Sequence, residues 1–167
     1  MSITANNKRH GSAAVALTLV ALIPSPLIGA AEGPSAAVSK YVAEAQSVAL
    51  REHHVQLNLD SRDIAGLATI LEQIRNRHVQ APLTEKALVA EVFRWGAVLG
   101  EIQRSHWKKA YWGRSRDRNR KYHYSVYVPL ESGDWLESNE FDLVEGFITK
   151  ATTDLTIQQA LWLHILD

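Results

Sequence analysis

The side chains most able to do chemistry crowd into residues 104–128. Arg104, Lys108, Lys109, Arg114, Arg116, Arg118, Arg120 and Lys121 form a basic run interrupted only by Asp117. Trp107, Tyr111, Trp112, Tyr122 and Tyr124 are interleaved with it. Cations beside flat aromatic faces are what single-stranded nucleic acid, other anionic polymers, sugar rings or an acidic protein surface require. The opposite reading is a solvated hairpin whose aromatics turn inward while its arginines keep the tip soluble. Alternation along a strand already gives such aromatics a core face, so the residue types alone do not make a site.

Other constellations are weaker. Glu131, Asp134, Glu137, Glu140, Asp142 and Glu145 make the C-terminal part acidic. Asp134 with Glu137, or Glu140 with Asp142, would serve glycoside hydrolysis only if they faced each other across a cleft. Proximity in sequence does not build one. Histidines stand at 53, 54, 78, 106, 123 and 164 after the first thirty residues, with no HxxxH or HExxH spacing. His106 and His123 make the best cross-strand pair available, and two histidines are short of the three or four ligands a zinc site needs. No metal or cofactor is therefore expected. The chain has no cysteine, which excludes thiol catalysis, CxxC redox chemistry and thiolate-ligated zinc. GxSxG, P-loop and GxGxxG patterns are missing as well, so serine-hydrolase and nucleotide readings lack their starting residues. No residue is assigned a catalytic role, and the balance leans against an enzyme.

The elements that must position the basic run come next. Lys8 and Arg9 precede an uncharged apolar run, Ser12–Ile23, which Pro24 and Pro26 break before Gly29-Ala30-Ala31. That order is a secretory signal peptide over residues 1–31, cut after Ala31. Its apolar run is about a dozen residues where a bilayer span needs roughly 20, so an uncleaved anchor is the lesser reading. Removing residues 1–31 takes two cations and no acid from a balanced 18 and 18, leaving 16 against 18 and a net charge of −2. Such a chain has no overall pull toward nucleic acid or anionic membrane. A periplasmic or secreted protein follows, with no transmembrane segment after cleavage and little chance of meeting nucleic acid.

Residues 32–35 read as a linker, and 36–167 as one domain large enough to bury a core. Val38, Tyr41, Val42, Ala45 and Ala49 recur at helical spacing over 36–51. Val55, Leu57 and Leu59 alternate with polar residues, as a short strand or an extended approach would. Asp60 or Ser61 can cap a second helix with the stripe Ile64, Leu67, Leu71 and Ile74. Thr84 caps a third, in which Leu88, Val92, Trp95, Leu99 and Ile102 run beside Val89, Phe93, Gly96 and Gly100. Two adjacent stripes bury such a helix over more than half its circumference, and the two glycines call for a close neighbouring backbone. Trp107, Tyr111 and then Tyr122, Tyr124, Val126 and Val128 read as two strands. Ser132-Gly133-Asp134 is a turn, Ser138 or Asn139 a cap, and Asp154 the cap of a last helix. The order predicts an α+β fold, a helical layer packed on a small antiparallel sheet.

The segments SRDIAGLATILEQI, AVLGEIQRSHW and SNEFDLVEGFI resemble the bacterial domain of unknown function DUF3806 over about residues 59–150. Leu99-Gly100-Glu101, Trp107 and Phe141 stand at the matching positions. Gly146 stands where such domains tend to carry Lys, and Glu140 where Pro is common. The resemblance implies a compact α+β domain and transfers no catalytic residue.

The function expected from these residues is an exported, non-catalytic protein-interaction domain of the bacterial envelope, an immunity-type protein or accessory factor. Its partner-binding set is Trp107, Lys108, Lys109, Tyr111, Trp112, Arg114, Arg116, Arg118, Arg120 and Lys121. A binding module for an anionic or sugar polymer of the envelope is the alternative, and a hydrolase using the acidic segment the second.

Overall fold

A computed structural model describes residues 36–150 and 156–166. The expected signal peptide, the linker and Asp154 lie outside the described residues. Five α-helices and one three-stranded sheet are found there: α1 (Ala36–His53), α2 (Ile64–Gln80), α3 (Glu85–His106), β1 (Tyr111–Arg114), β2 (Tyr124–Pro129), β3 (Trp135–Ser138), α4 (Glu140–Thr149) and α5 (Ile157–Leu166). The sheet is antiparallel in the order β1-β2-β3. This is the α+β domain anticipated from the sequence.

The helices begin where local chemistry starts them. Asp60 caps a 3₁₀ turn, Ser61–Asp63, that leads into α2; its carboxylate accepts from Arg62 N at 2.9 Å while Asp63 accepts from Asp60 N at 3.2 Å. Thr84 Oγ1 accepts from Ala87 N at 3.3 Å to open α3, and Asn139 Oδ1 accepts from Asp142 N at 2.9 Å to open α4. Each side-chain cap satisfies a backbone donor that the first helical turn leaves free.

Helix α3 is the axis of the domain. It packs against α1 and α4 on its sides and lies on β2, while α2 carries α4 and α5. Trp95, Val98, Leu99 and Ile102 are fully buried along it. Trp95 Nε1 donates to Glu91 Oε2 at 2.8 Å, and Arg94 bridges the same carboxylate to Glu44 of α1 at 2.7 Å. The glycines of α3 do mark close approach, chiefly by rings. A Cβ on Gly96 would stand 2.5 Å from Phe141 Cδ1 and 3.1 Å from its Cα. On Gly100 it would run into the six-membered ring of Trp112.

Three expectations need correction. The run 55–59 pairs with no strand among the described residues, which removes the strand reading and leaves the extended approach, and His54 and Leu59 at its ends take left-handed backbone, at φ 57° and 61°. It folds over α2 instead, with Leu57 buried and Val55 over Gly66. Trp107 is the residue that terminates α3, its N–H donating to Gln103 O, and is not a strand position. A third strand, Trp135–Ser138, pairs with β2 where the sequence showed only an acidic run and a cap.

Candidate functional site

The register sorts the hairpin residues into two faces. Trp112 pairs with Val126 and Val126 with Ser138, on the face turned to α3. Tyr111 pairs with Tyr127 and Tyr127 with Glu137, on the opposite face. Trp112 fills the space over Gly100, and its Nε1 donates to Glu101 Oε1 at 2.7 Å. The other oxygen of Glu101 accepts from Arg104 Nε and Nη2 at 2.9 and 2.8 Å. Glu101, buried to 7% exposure, thus joins the indole of β1 to the end of α3. Paired in this way, a buried carboxylate keeps both oxygens satisfied.

The outer face carries a ladder of rings. Tyr111 stacks on Tyr127 at 5.2 Å, Trp135 meets Tyr111 edge-on at 5.2 Å, and the Arg116 guanidinium lies 5.3 Å over the Tyr127 ring. Gly113 leaves the floor on which Tyr127 rests; a Cβ there would stand 2.6 Å from the ring. Tyr127 OH donates to Arg114 O at 2.7 Å. Glu137 gathers the loop, accepting from Ser115 Oγ at 2.7 Å, Ser125 Oγ at 2.9 Å and Arg116 N at 3.2 Å. Burial would raise its pKa, but these hydrogen bonds to the charged form outweigh it and hold the carboxyl below the usual range.

The ten expected partner-binding residues therefore separate. Trp112 belongs to the core. Trp107 is half-buried, with its Nε1 donating to Ile165 O of α5 at 2.8 Å, so it pins the last helix. Arg120 pairs with Asp142 at 3.9 Å and Lys121 with Glu145 at 2.5 Å, both on α4. Tyr111 stays half-exposed within the ring ladder. Lys108, Lys109, Arg114, Arg116 and Arg118 are exposed, and among the described residues no carboxylate pairs with them. Lys109 sits in left-handed backbone at φ 70°, in the turn that swings the chain from α3 into β1.

The acidic segment is dispersed by the fold. Glu137 faces the outer side of the sheet, Asp142 and Glu145 hold the loop cations, and Asp134 accepts from Ser132 Oγ at 3.1 Å. Glu140 is fully buried, and its Oε2 lies 2.7 Å from His164 Nε2. Burial alone would lower the pKa of His164; the Glu140 hydrogen bond and charge outweigh it and hold the imidazole above its ordinary value. Ser138 Oγ stands 3.1 Å from the same Nε2. A serine nucleophile relay needs the acid on one ring nitrogen and the hydroxyl on the other. Here both occupy one nitrogen, so the trio is a structural clasp between α4, α5 and β3.

His106 and His123 are no pair. His106 lies in the last turn of α3 with its ring against Trp107, and His123 lies exposed in the loop before β2. Among the described residues no group of three or more His, Asp or Glu side chains is placed to hold a metal.

One feature left no trace in the sequence, a cleft of about 220 Å³ at the other end of the sheet. Gln103, Trp107, Val128, Leu130, Leu136 and His164 are among its walls, with Glu131 and Pro129 completing them. Its residues come from α3, β2, β3 and α5, so no local pattern could have revealed it. Compared with protein-family models, curated proteins and solved structures, the chain finds no match.

Proposed function

We propose that the protein is an exported, non-catalytic interaction domain of the bacterial envelope that binds an acidic surface of a protein partner through its β1–β2 hairpin. The observation that carries this reading is the set of exposed cations without a described carboxylate partner, Lys108, Lys109, Arg114, Arg116 and Arg118, next to half-exposed Tyr111 and Trp135. Rings and arginines on a firm backbone are the usual anchors of protein interfaces, because they bring large contact area at modest entropic cost. The hairpin backbone is firm here: Glu137 ties the loop to the sheet, and Arg120 and Lys121 tie it to α4. Export rests on the N-terminal signal pattern in the sequence, and the likeness to DUF3806 agrees with a small domain of this kind.

The contact surface is narrower than the sequence set, since Trp107, Trp112, Arg120 and Lys121 serve the fold. Charge reversal at Arg114, Arg116 and Arg118 therefore tests the reading without touching an internal ion pair. A stoichiometric partner captured from an envelope extract of the host is expected to be lost from the triple glutamate variant. Its retention would remove the hairpin as the interface. Capture of cell-wall or lipopolysaccharide material in place of a protein, released by salt, would favour the polymer alternative.

A further inference from the structure

With the strand order β1-β2-β3, both outer strands have an edge that β2 does not cover. The register fixes which backbone groups of β1 point to its edge. Ser115 N donates to His123 O at 2.8 Å, and the same register pairs Gly113 with Ser125 and Tyr111 with Tyr127. Hydrogen-bonded residues alternate along an antiparallel ladder, so Tyr111, Gly113 and Ser115 turn their backbone groups to β2. Trp112 and Arg114 turn theirs away. The Arg114 carbonyl already accepts from Tyr127 OH at 2.7 Å. The Arg114 N–H and both backbone groups of Trp112 have no hydrogen bond among the described residues. Among the described elements, only β2 runs beside the β1 backbone. An edge with unmet donors and acceptors is a template for a further strand.

Charge decides which strand. Exposed Lys108 and Lys109 precede β1, exposed Arg114 ends it, and exposed Arg116 and Arg118 follow, so cations stand at both ends of this edge. The β3 edge has the opposite character: Glu131 and Asp134 lie in the turn before it and Glu137 lies within it. An acidic strand is therefore drawn to β1 and not to β3. A second copy of the chain is the poorer occupant. Two β1 edges would set the same cations against each other, and Glu137 of β3 is already engaged by Ser115, Ser125 and Arg116 N. Half-exposed Tyr111 and Gly113 flank the edge on the outer face, where alternate side chains of an added strand would rest.

We propose that the partner presents an extended acidic segment that adds to the β1 edge as a fourth strand, paired through its backbone to Trp112 and Arg114. This rests on the hairpin reading above and adds the way in which the partner is held. The probe is the peptide Ac-Thr-Glu-Thr-Glu-Thr-Glu-NH2, beside the same peptide N-methylated throughout, which keeps the charge and removes the donors. Bound to the full chain, the first peptide is expected to slow hydrogen exchange at the Arg114 and Trp112 amides, with an affinity that falls as salt is added. The methylated form is expected to bind roughly tenfold weaker or worse. Arg114→Pro removes the edge N–H at a position where an edge strand accepts proline, and is expected to bind the first peptide roughly fivefold weaker than Arg114→Ala. If the proline variant does not fold, the two peptides on the native chain decide alone. Equal binding of both peptides, or unslowed exchange at Arg114, would overturn the fourth strand while leaving the cations as a binding surface. Absence of binding by the first peptide, or self-association of the chain through this edge, would overturn it as well. The hairpin reading is decided separately, by capture of the partner with the triple glutamate variant.

Discussion

The two ends of the small sheet make opposite use of polar groups. At the loop end, β1 and β2 are joined through a segment crowded with arginine and lysine, yet the acids nearby are all engaged. Glu137 is taken by Ser115, Ser125 and Arg116 N, Asp142 by Arg120, and Glu145 by Lys121. At the turn end, β2 and β3 are joined beside a cleft poor in charge, and there the Oε1 of buried Gln103 has no hydrogen-bond partner among the described residues. Density of charge in a sequence is thus a poor guide to unmet bonding capacity. A surface cation is satisfied by water, whereas a buried amide is not.

The largest expected effects separate core from surface at the loop end. Trp112→Ala removes the ring over Gly100 and the donor to Glu101, and is expected to cost about 3–5 kcal/mol in denaturant unfolding. A cost below about 1 kcal/mol would return Trp112 to the binding set. At the turn end, His164→Leu leaves the buried Glu140 carboxylate without its cation, for a comparable loss of about 3–5 kcal/mol.

The ends should also titrate in opposite senses. His164 has its folded pKa raised above 6.5, because pairing with Glu140 outweighs burial. Its stabilisation is complete below 6.5 and is lost as pH rises through the folded value. Glu137 has its folded pKa held below 4.5, so its contribution is present above 4.5 and is lost as pH falls through the folded value. Unfolding measured from about pH 3 to 9 is expected to show both limbs, with His164→Gln removing the one above 6.5 and Glu137→Gln the one below 4.5. A single variant that flattened both would show the ends to be coupled.

A smaller effect lies between the ends. Gly146 sits inside α4, and a methyl group added there would meet nothing within 4 Å. Gly146→Ala is therefore expected to stabilise by up to about 1 kcal/mol, in contrast to Gly100→Ala, where Trp112 blocks the space and the change destabilises by about 1–3 kcal/mol.

How much of this was legible in the sequence follows from the range of each interaction. Helices α1 to α4 could be read from their stripes and from Asp60, Thr84 and Asn139, because periodicity and capping act within a few residues. Glycines 96 and 100 announced a close approach, but not that Trp112 and Phe141 would make it. Strand β3 stayed hidden, since four residues of alternation are lost in an acidic run, and the left-handed turns at His54 and Leu59 carry no glycine to mark them. The basic cluster was legible as a cluster. Its division into fold and surface was not, because the pairs Arg120–Asp142 and Lys121–Glu145 and the Glu101–Trp112 bond depend on how distant elements meet. The cleft was invisible for the same reason.

A small expected change in stability at each site accompanies the most direct test. Arg114, Arg116 and Arg118 changed together to Glu should move unfolding free energy by no more than about 0.5 kcal/mol at Arg114 and at Arg118, exposed positions without a described ion pair, and by about 1 kcal/mol at Arg116, whose guanidinium lies over the Tyr127 ring. Capture from envelope extract, run on that folded variant beside the native chain, decides whether the loop end is a binding surface. Loss of the partner from a chain that remains folded is the predicted result. A partner still held after the three charges are reversed would contradict it.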